Sequence, residues 1–365
     1  MQQRDHLKQI LDATPRGEYF LYTNMAEALR GFSSARPAGI SLGGKPLPLD
    51  KPDSDFPVRR ADILDAIADT VVDNPEKPLY LDFLAFAAAP AGASLTLAAG
   101  QRADISVHAP VSTDLSVQRL VLNVPQLTSA DAVIRLSSLS ALLLQLKVNV
   151  AAGATLRLVV LQDSADDQRI LSRTTLDQEA DSHVELIFVN LDPVLARNEV
   201  KCAIHGPGAD LRLNGLYVVS RDHHVDNETL VEHHAGHSAS SQLFKGIAAD
   251  SARMAFGGLI LVKPDAQKTS AEQTNRHMLA STAARAFAKP QLEIYADDVK
   301  CSHGATTGQI DPAQLFYMQQ RGIDEATARR LLSAAFVGEV VDSIPFDDVK
   351  ANLRARLEGQ EQADL

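Results

Sequence analysis

The 365-residue sequence contains no tryptophan, only two cysteines and 5% aromatic residues. Two thiols alone cannot build the four-cysteine cage of a structural zinc site or a stable iron–sulfur cluster. Cys202 and Cys301 can form at most one disulfide, and in a large acidic chain without an export signal they are expected to stay reduced. Scarce aromatics leave little surface for sugars to stack on. Positive charge is also short: 35 Lys and Arg face 46 Asp and Glu, a net charge of -11. That excludes a backbone-driven nucleic-acid binder, which needs a concentrated basic footprint. The start Met1-Gln2-Gln3-Arg4-Asp5-His6 lacks the charged and apolar regions of a signal peptide. The apolar run 81–91 is broken by Asp82 and Pro90 and falls short of a membrane span. A soluble cytoplasmic protein, with neither nucleic-acid nor membrane partners, is the expectation. Several catalytic signatures are missing: GxxxxGK[ST], HExxH, G-x-S-x-G and paired CxxC. Gly43-Gly44-Lys45 lacks the phosphate-loop spacing.

The length suggests two or three structural units. Residues 1–77 read as helix and loop. Leu7, Ile10 and Leu11 share a face that Pro15 ends, 25–31 fits a second helix, 36–57 is a Pro/Gly-rich connector, and Ile63, Ile67 and Val71 return to helical spacing. From residue 78 the period drops to two, as in Leu156-Leu158-Val160, Val184-Leu186-Phe188 and Val200-Cys202-Ile204. Turns recur at roughly twenty-residue intervals without intervening helices, which disfavours a doubly wound sheet. A sandwich, a barrel or a stack of β-helical rungs remain, and the length of 78–305 suits the stack. Residues 306–365 return to helix. Asp311 before Pro312 is a cap, Asp324 is another, and Leu332, Phe336, Val340 and Ile344 repeat on one face, followed by Val349, Leu353 and Leu357. This face can dock on the β-region or on a partner.

The chemistry concentrates in 221–304. Five of eleven histidines, His223, His224, His233, His234 and His237, fall together, interleaved with Asp222, Asp226, Glu228 and Glu232. Imidazoles with neighbouring carboxylates can ligate metal; a solvated loop or polar interface gives the same composition. Downstream lie Cys301 and His303. On a strand, residues two apart share a face, close enough for joint ligation or for the imidazole to favour the thiolate. A buried cysteine beside a surface histidine reads identically, and two ligands cannot complete a tetrahedral site. Arg212, Arg221, Arg253, Arg276 and Arg285 can meet an anionic cofactor or simply solvate strand faces.

Longer text is more specific: Ser241-Gln242-Leu243-Phe244-Lys245-Gly246, Gln267-Lys268-Thr269, the run from Lys289-Pro290-Gln291 through Cys301-Ser302-His303-Gly304-Ala305-Thr306, then Leu315-Phe316-Tyr317 and Arg321-Gly322-Ile323. In these segments the chain resembles the SufB/SufD superfamily of the Suf iron–sulfur cluster assembly system, strongly over 197–345. The resemblance implies a right-handed parallel β-helix core flanked by N- and C-terminal helical parts. It implies a non-ATPase scaffold subunit that pairs with SufB through β-helices and docks the SufC ATPase on its C-terminal helices. A transient iron–sulfur cluster would form at the paired interface, and the assembled complex would be able to bind reduced flavin. The conserved cysteine and histidine of the D branch, SufD, map onto Cys301 and His303. Gly304 stands where the B branch has glutamate, and Arg276 stands near its essential cysteine, so the D branch is the better match. A SufB-like or self-paired scaffold (a homodimer when isolated) is the nearer alternative. A β-helical carbohydrate-active enzyme using Asp222 and Asp226 is the more distant one.

Overall fold

The computed structural model describes residues 35–48, 92–112, 114–162 and 168–358. The helices expected within 7–31 and 62–72 lie outside them.

Strand β8 (Ala141–Val150, ALLLQLKVNV) illustrates how the sequence builds the core. Its alternate residues Leu142, Leu144, Leu146, Val148 and Val150 all point into one interior cluster, as a two-residue period requires. The strands divide between two parallel sheets. The first holds β1 (Ala35–Pro37), β4 (Ala93–Thr96), β6 (Leu115–Val124), β8, β10 (Arg169–Gln178), β12 (Leu195–Ile204), β14 (His224–His233), β16 (Arg253–Val262) and β18 (Arg285–Ile294). The second holds β2 (Gly39–Leu42), β3 (Lys45–Pro46), β5 (Arg102–Ala109), β7 (Ser129–Ser138), β9 (Thr155–Gln162), β11 (His183–Leu191), β13 (Asp210–Val219), β15 (Ala239–Ala248), β17 (Ser270–Leu279) and β19 (Lys300–Gln309). From β5 onward, successive strands alternate between sheets, and each pairs in parallel with the strand two further along. The fold is therefore a parallel β-helix. β19 runs to Gln309, past the boundary expected at 305.

Each rung is longer than the expected twenty-residue repeat. Ile170 pairs with Ala196, 26 residues on, and Met254 with Ala286, 32 residues on. Every rung turns at more than one corner, and the sequence shows only some of these corners clearly. One corner stacks Leu127, Gly153, Asp181, Gly208, His237 and Lys268, all with φ between 55 and 74°. Gly206 closes the stack, because a Cβ there would lie 2.2 Å from the backbone nitrogen of Ala180.

The early rungs have an aliphatic interior, whereas later rungs carry a polar ladder. Asn198 bonds Asn190 at 2.8 Å and Asn227 at 2.9 Å, Ser172 donates to Asn198 at 2.7 Å, and Asn190 donates to Gln162 at 2.7 Å. Buried polar groups need such partners.

Three helices follow: α1 (Pro312–Gln320), α2 (Glu325–Ser343) and α3 (Asp347–Glu358). Asp311 and Asp324 cap α1 and α2 as expected, accepting from the Ala313 and Thr327 amides. Of the two expected uses of the helical apolar face, docking on the β-region is the one seen. Val337, Val340, Val341, Ile344, Val349, Leu353 and Leu357 pack on the outer face of the second sheet, against residues including Val159, Leu161, Ile187, Val189, Leu216 and Ile247. Polar clamps rim this layer. Lys245 Nζ reaches Glu339 at 2.7 Å and the Phe336 carbonyl at 2.9 Å, Arg102 reaches Asp348 at 2.6 Å, and Asn214 meets Ser343 at 3.0 Å. Among the described residues, no helix is long and apolar enough to cross a membrane.

The two ends of the coil differ. At the first, β2 pairs antiparallel with β5 and β3 antiparallel with β2, so a hairpin reverses the pairing direction. This stretch, within the expected Pro/Gly-rich connector, turns on Gly43 and Gly44 at φ 54° and 79°. At the other end, β18 and β19 are the terminal strands of their sheets; β18 is half-buried over most of its length and β19 is mostly exposed.

Candidate functional site

Cys301 and His303 both lie on β19, in register with Ala271 and Gln273 of β17. They share the strand face that continues the interior column. Cys301 is half-buried, packed near Ile260, Val262, Ala266, Ala271 and Ala296. His303 is exposed. Burial pushes the Cys301 thiol up, while a backbone hydrogen bond with Ala271 pulls the other way. The thiol in this chain is thus shielded, contrary to the expectation of a thiolate favoured by its neighbouring imidazole. Phe287, Ile294 and Tyr295 are exposed at the same end. Among the described residues, the site therefore lies on a terminal rung with open backbone edges and apolar side chains in solvent, the features of a pairing surface.

The histidine cluster disperses. His223 Nδ1 lies 3.1 Å from Asp192 at a corner. His224 is partly buried at the start of β14, where burial lowers its pKa. His234 stacks on His205, with ring centroids 5.1 Å apart, and lies 3.5 Å from Glu232. His237 is exposed at its left-handed corner. His233 departs from the surface-loop reading altogether. It is fully buried and faces inward, between Ser238 and Ser240 at 2.8 Å each, and burial pushes its pKa down to about 4. Among the described residues, no three His, Cys, Asp or Glu side chains gather into a metal-sized group. Cys202 is buried in the lumen with its thiol pushed up by desolvation, and both cysteines are free.

Asp226 and three of the candidate arginines are held in ion pairs. Asp226 is buried on the Arg197 guanidinium, which also meets Glu199 at 3.0 Å, while Asp222 sits in an exposed turn. They do not flank a cleft as a glycosidase pair would. Burial lowers the charge affinity of Arg197, but Asp226, Glu199 and Glu228 outweigh it and hold the guanidinium charged. Desolvation pushes Glu228 up to about 8, Arg197 opposing and Asp226 and Glu199 adding to the shift. Arg212 pairs with Glu185 at 3.2 Å, Arg221 with Asp192 at 2.7 Å and Arg276 with Glu339 at 3.8 Å, so these three do not gather around one anion.

Sequence reasoning missed the inward polar residues of the last rungs. Tyr217 Oη lies 2.5 Å from His277 Nε2 and accepts from Asn275 Nδ2 at 3.0 Å. Thr229 donates to Gln242 at 2.9 Å. Gln273 is fully buried, and neither of its amide atoms has a partner. The available signal was Gln273, Asn275 and His277 at successive alternate positions of Ser270–Leu279, positions an aliphatic core would occupy.

A parallel β-helix with a helical layer packed on one sheet, and a last rung that no described strand covers, defines a β-solenoid. Comparison with known proteins specifies it further. The description "SUF system FeS cluster assembly, SufBD core domain" matches residues 108–336, and the chain belongs to this family. It is 36% identical over 214 residues to the iron–sulfur cluster assembly protein SufD of Escherichia coli, covering 58% of this chain and 50% of that protein. A SufBD family protein of Synechocystis is 36% identical over 193 residues, covering 53% and 42%. The chloroplastic protein ABCI7 of Arabidopsis thaliana is 36% identical over 217 residues, covering 59% and 45%. The chain thus spans about half the length of the curated relatives it matches.

Proposed function

We propose that this chain is a cytoplasmic, non-ATPase scaffold subunit of an iron–sulfur cluster assembly complex. It pairs with a SufB-type β-helix through its bare end, and Cys301 and His303 serve as transient ligands for iron or the nascent cluster at that seam. The observation that carries this reading is the uncapped last rung presenting a cysteine and a histidine on one face. Two ligands from this side leave coordination incomplete, and the partner side would supply the rest. An incomplete site suits a scaffold, because a full cage would retain its cluster. The cluster is cargo here. Reduced flavin in the assembled complex remains an expectation of the resemblance, with no residue of this chain assigned to it.

The C-terminal helices dock the SufC ATPase in this reading. Since α2 and α3 direct their apolar face onto the coil, the docking surface is what they leave exposed: Phe316, Tyr317 and Leu331. The same bare rung also supports self-pairing when no B-type subunit is present.

The test is co-expression with B-type and ATPase subunits, followed by iron, sulfide and subunit analysis. His303→Ala should lower cluster content in a complex of unchanged stoichiometry. Normal cluster content in an intact complex rejects the chemical role, and a dissociated complex assigns His303 to assembly instead.

A further inference from the structure

Columns of inward residues run down the coil interior to its last rung. In one of them Gln242, Gln273 and His303 follow each other in register on β15, β17 and β19. Neighbouring parallel strands lie roughly 4.8 Å apart, so like-facing side chains of similar length lie side by side. Gln242 uses its carbonyl oxygen on Thr229 at 2.9 Å. Gln273 is fully buried, and both its Oε1 and its Nε2 lack partners. Its amide nevertheless has a shaped seat. A Cβ on Gly258, across the lumen on β16, would lie 2.3 Å from Gln273 Nε2. A buried amide with neither group satisfied loses its bonds to water without replacement, so it calls for an explanation. Immediately beneath it stands an exposed imidazole.

We infer that Gln273 is a positioning residue for His303: when the seam closes, its Oε1 accepts the N–H of one ring nitrogen and leaves the lone pair of the other aimed at the metal. The inference rests on the proposed role of His303. A neutral imidazole ligates through one nitrogen only, and a hydrogen-bond acceptor on the other fixes tautomer and ring orientation. The Gly258 seat holds the amide in the lumen, at the register position beside His303, before a partner arrives.

The experiment uses the full-length chain in its assembled complex and Co²⁺ as probe, with binding read from the visible bands of thiolate- and imidazole-bound cobalt. His303→Ala reports the underlying reading. Gln273→Met removes the acceptor at nearly constant length and should weaken Co²⁺ binding about tenfold or more, the usual consequence of losing a partner behind a ligating histidine. Gln273→Glu, which keeps an acceptor, should recover most of that loss. Gly258→Ala displaces the amide without touching it and should act like Gln273→Met. Gln242→Met, one rung further in, should leave affinity unchanged. In the His303→Ala background, Gln273→Met should have no further effect.

Unchanged affinity in Gln273→Met, with affinity lost in His303→Ala, overturns the inference and spares the reading; an amide merely hydrated by lumen water gives this result. Equal losses in Gln242→Met and Gln273→Met, or an additive loss in the double variant, overturn it as well. Unchanged affinity in both His303→Ala and Gln273→Met removes the inference together with the reading it rests on.

Discussion

Leu353→Ala should release the helical layer from the coil without unfolding the coil. Leu353 is fully buried on α3, among the residues that meet the outer face of the second sheet. Truncating a buried leucine to alanine costs about 2–5 kcal/mol through lost transfer energy and the cavity left behind. The coil interior forms a separate cluster from the one under the helices, and solenoid stability is largely a matter of neighbouring units. The loss should therefore appear as local opening. At one decade per 1.4 kcal/mol, amide exchange on α2 and α3 should accelerate about 30- to 4,000-fold, while β8 and β12 exchange as before. Leu331→Ala, at a position 41% exposed, should change little. Exchange that accelerates equally in coil and helices would show one cooperative unit, and exchange unchanged on α3 would show that the layer does not depend on this contact. Either result refutes the argument. Truncation after Ile310 takes the same logic further. It would bare Val159, Leu161, Ile187, Val189, Leu216 and Ile247, so the shortened coil should keep its β-signal yet bind a hydrophobic dye and self-associate.

Other outcomes follow from single groups. His233 and His277 are each pushed down to about 4 by burial, so the unfolded chain binds more protons than the folded one between about 6.5 and about 4; the urea midpoint should fall as pH drops through that window, and His277→Gln should flatten the fall. Glu228 is pushed up to about 8, so the folded chain holds the extra proton and stability should decline as pH rises from about 4.5 to about 8; Glu228→Gln should remove that decline, as read from urea midpoints across the range. Gly246→Ala would place a Cβ 2.1 Å from the Tyr217 ring, whose hydroxyl is fixed by His277 and Asn275, and should cost about 1–3 kcal/mol in chemical denaturation.

The coil was legible where its interior is aliphatic. Leu156, Leu158 and Val160 alternate visibly and line the core as read. The same holds for Val349, Leu353 and Leu357, whose spacing marks the buried face of α3. The rung length was harder, since two strands and several corners share one repeat and corner residues range from Gly153 to Leu127 and Lys268. The late interior was illegible for a physical reason. Asn227, Thr229 and His233 face inward on β14 while Leu230 faces outward, so hydrophobicity no longer reports the buried face. Hydrogen bonds replace apolar contact there, and periodicity does not register them. β19, with the sequence KCSHGATTGQ, shows no apolar alternation at all. Its strand register, and hence the pairing of His303 with Gln273, comes from its neighbour β17 rather than from any pattern of its own.

The unequal ends of the coil also limit what it can assemble. Parallel strands with bare edges at both ends could add copies without limit, a hazard for any long solenoid. Here the β2–β3 hairpin reverses direction at the first end of the second sheet, while the first sheet ends there in the short parallel strands β1 and β4. At the other end β18 and β19 are the terminal strands of their sheets, with Ile294 and Tyr295 exposed beside them. Association through the β18–β19 end alone joins two coils and stops, whether the second is a B-type subunit or another copy related by a two-fold axis. Sedimentation of the isolated chain should thus show monomers and pairs and nothing larger. Replacing Ile294 and Tyr295 by lysine should shift that equilibrium to monomer, because both residues would carry a charge into the closed seam, while the circular dichroism of the coil stays unchanged. A ladder of trimers and longer species would mean that the hairpin end also pairs. Pairs that survive both lysines would place the contact on another surface, and the seam assigned to Cys301 and His303 would fall with it.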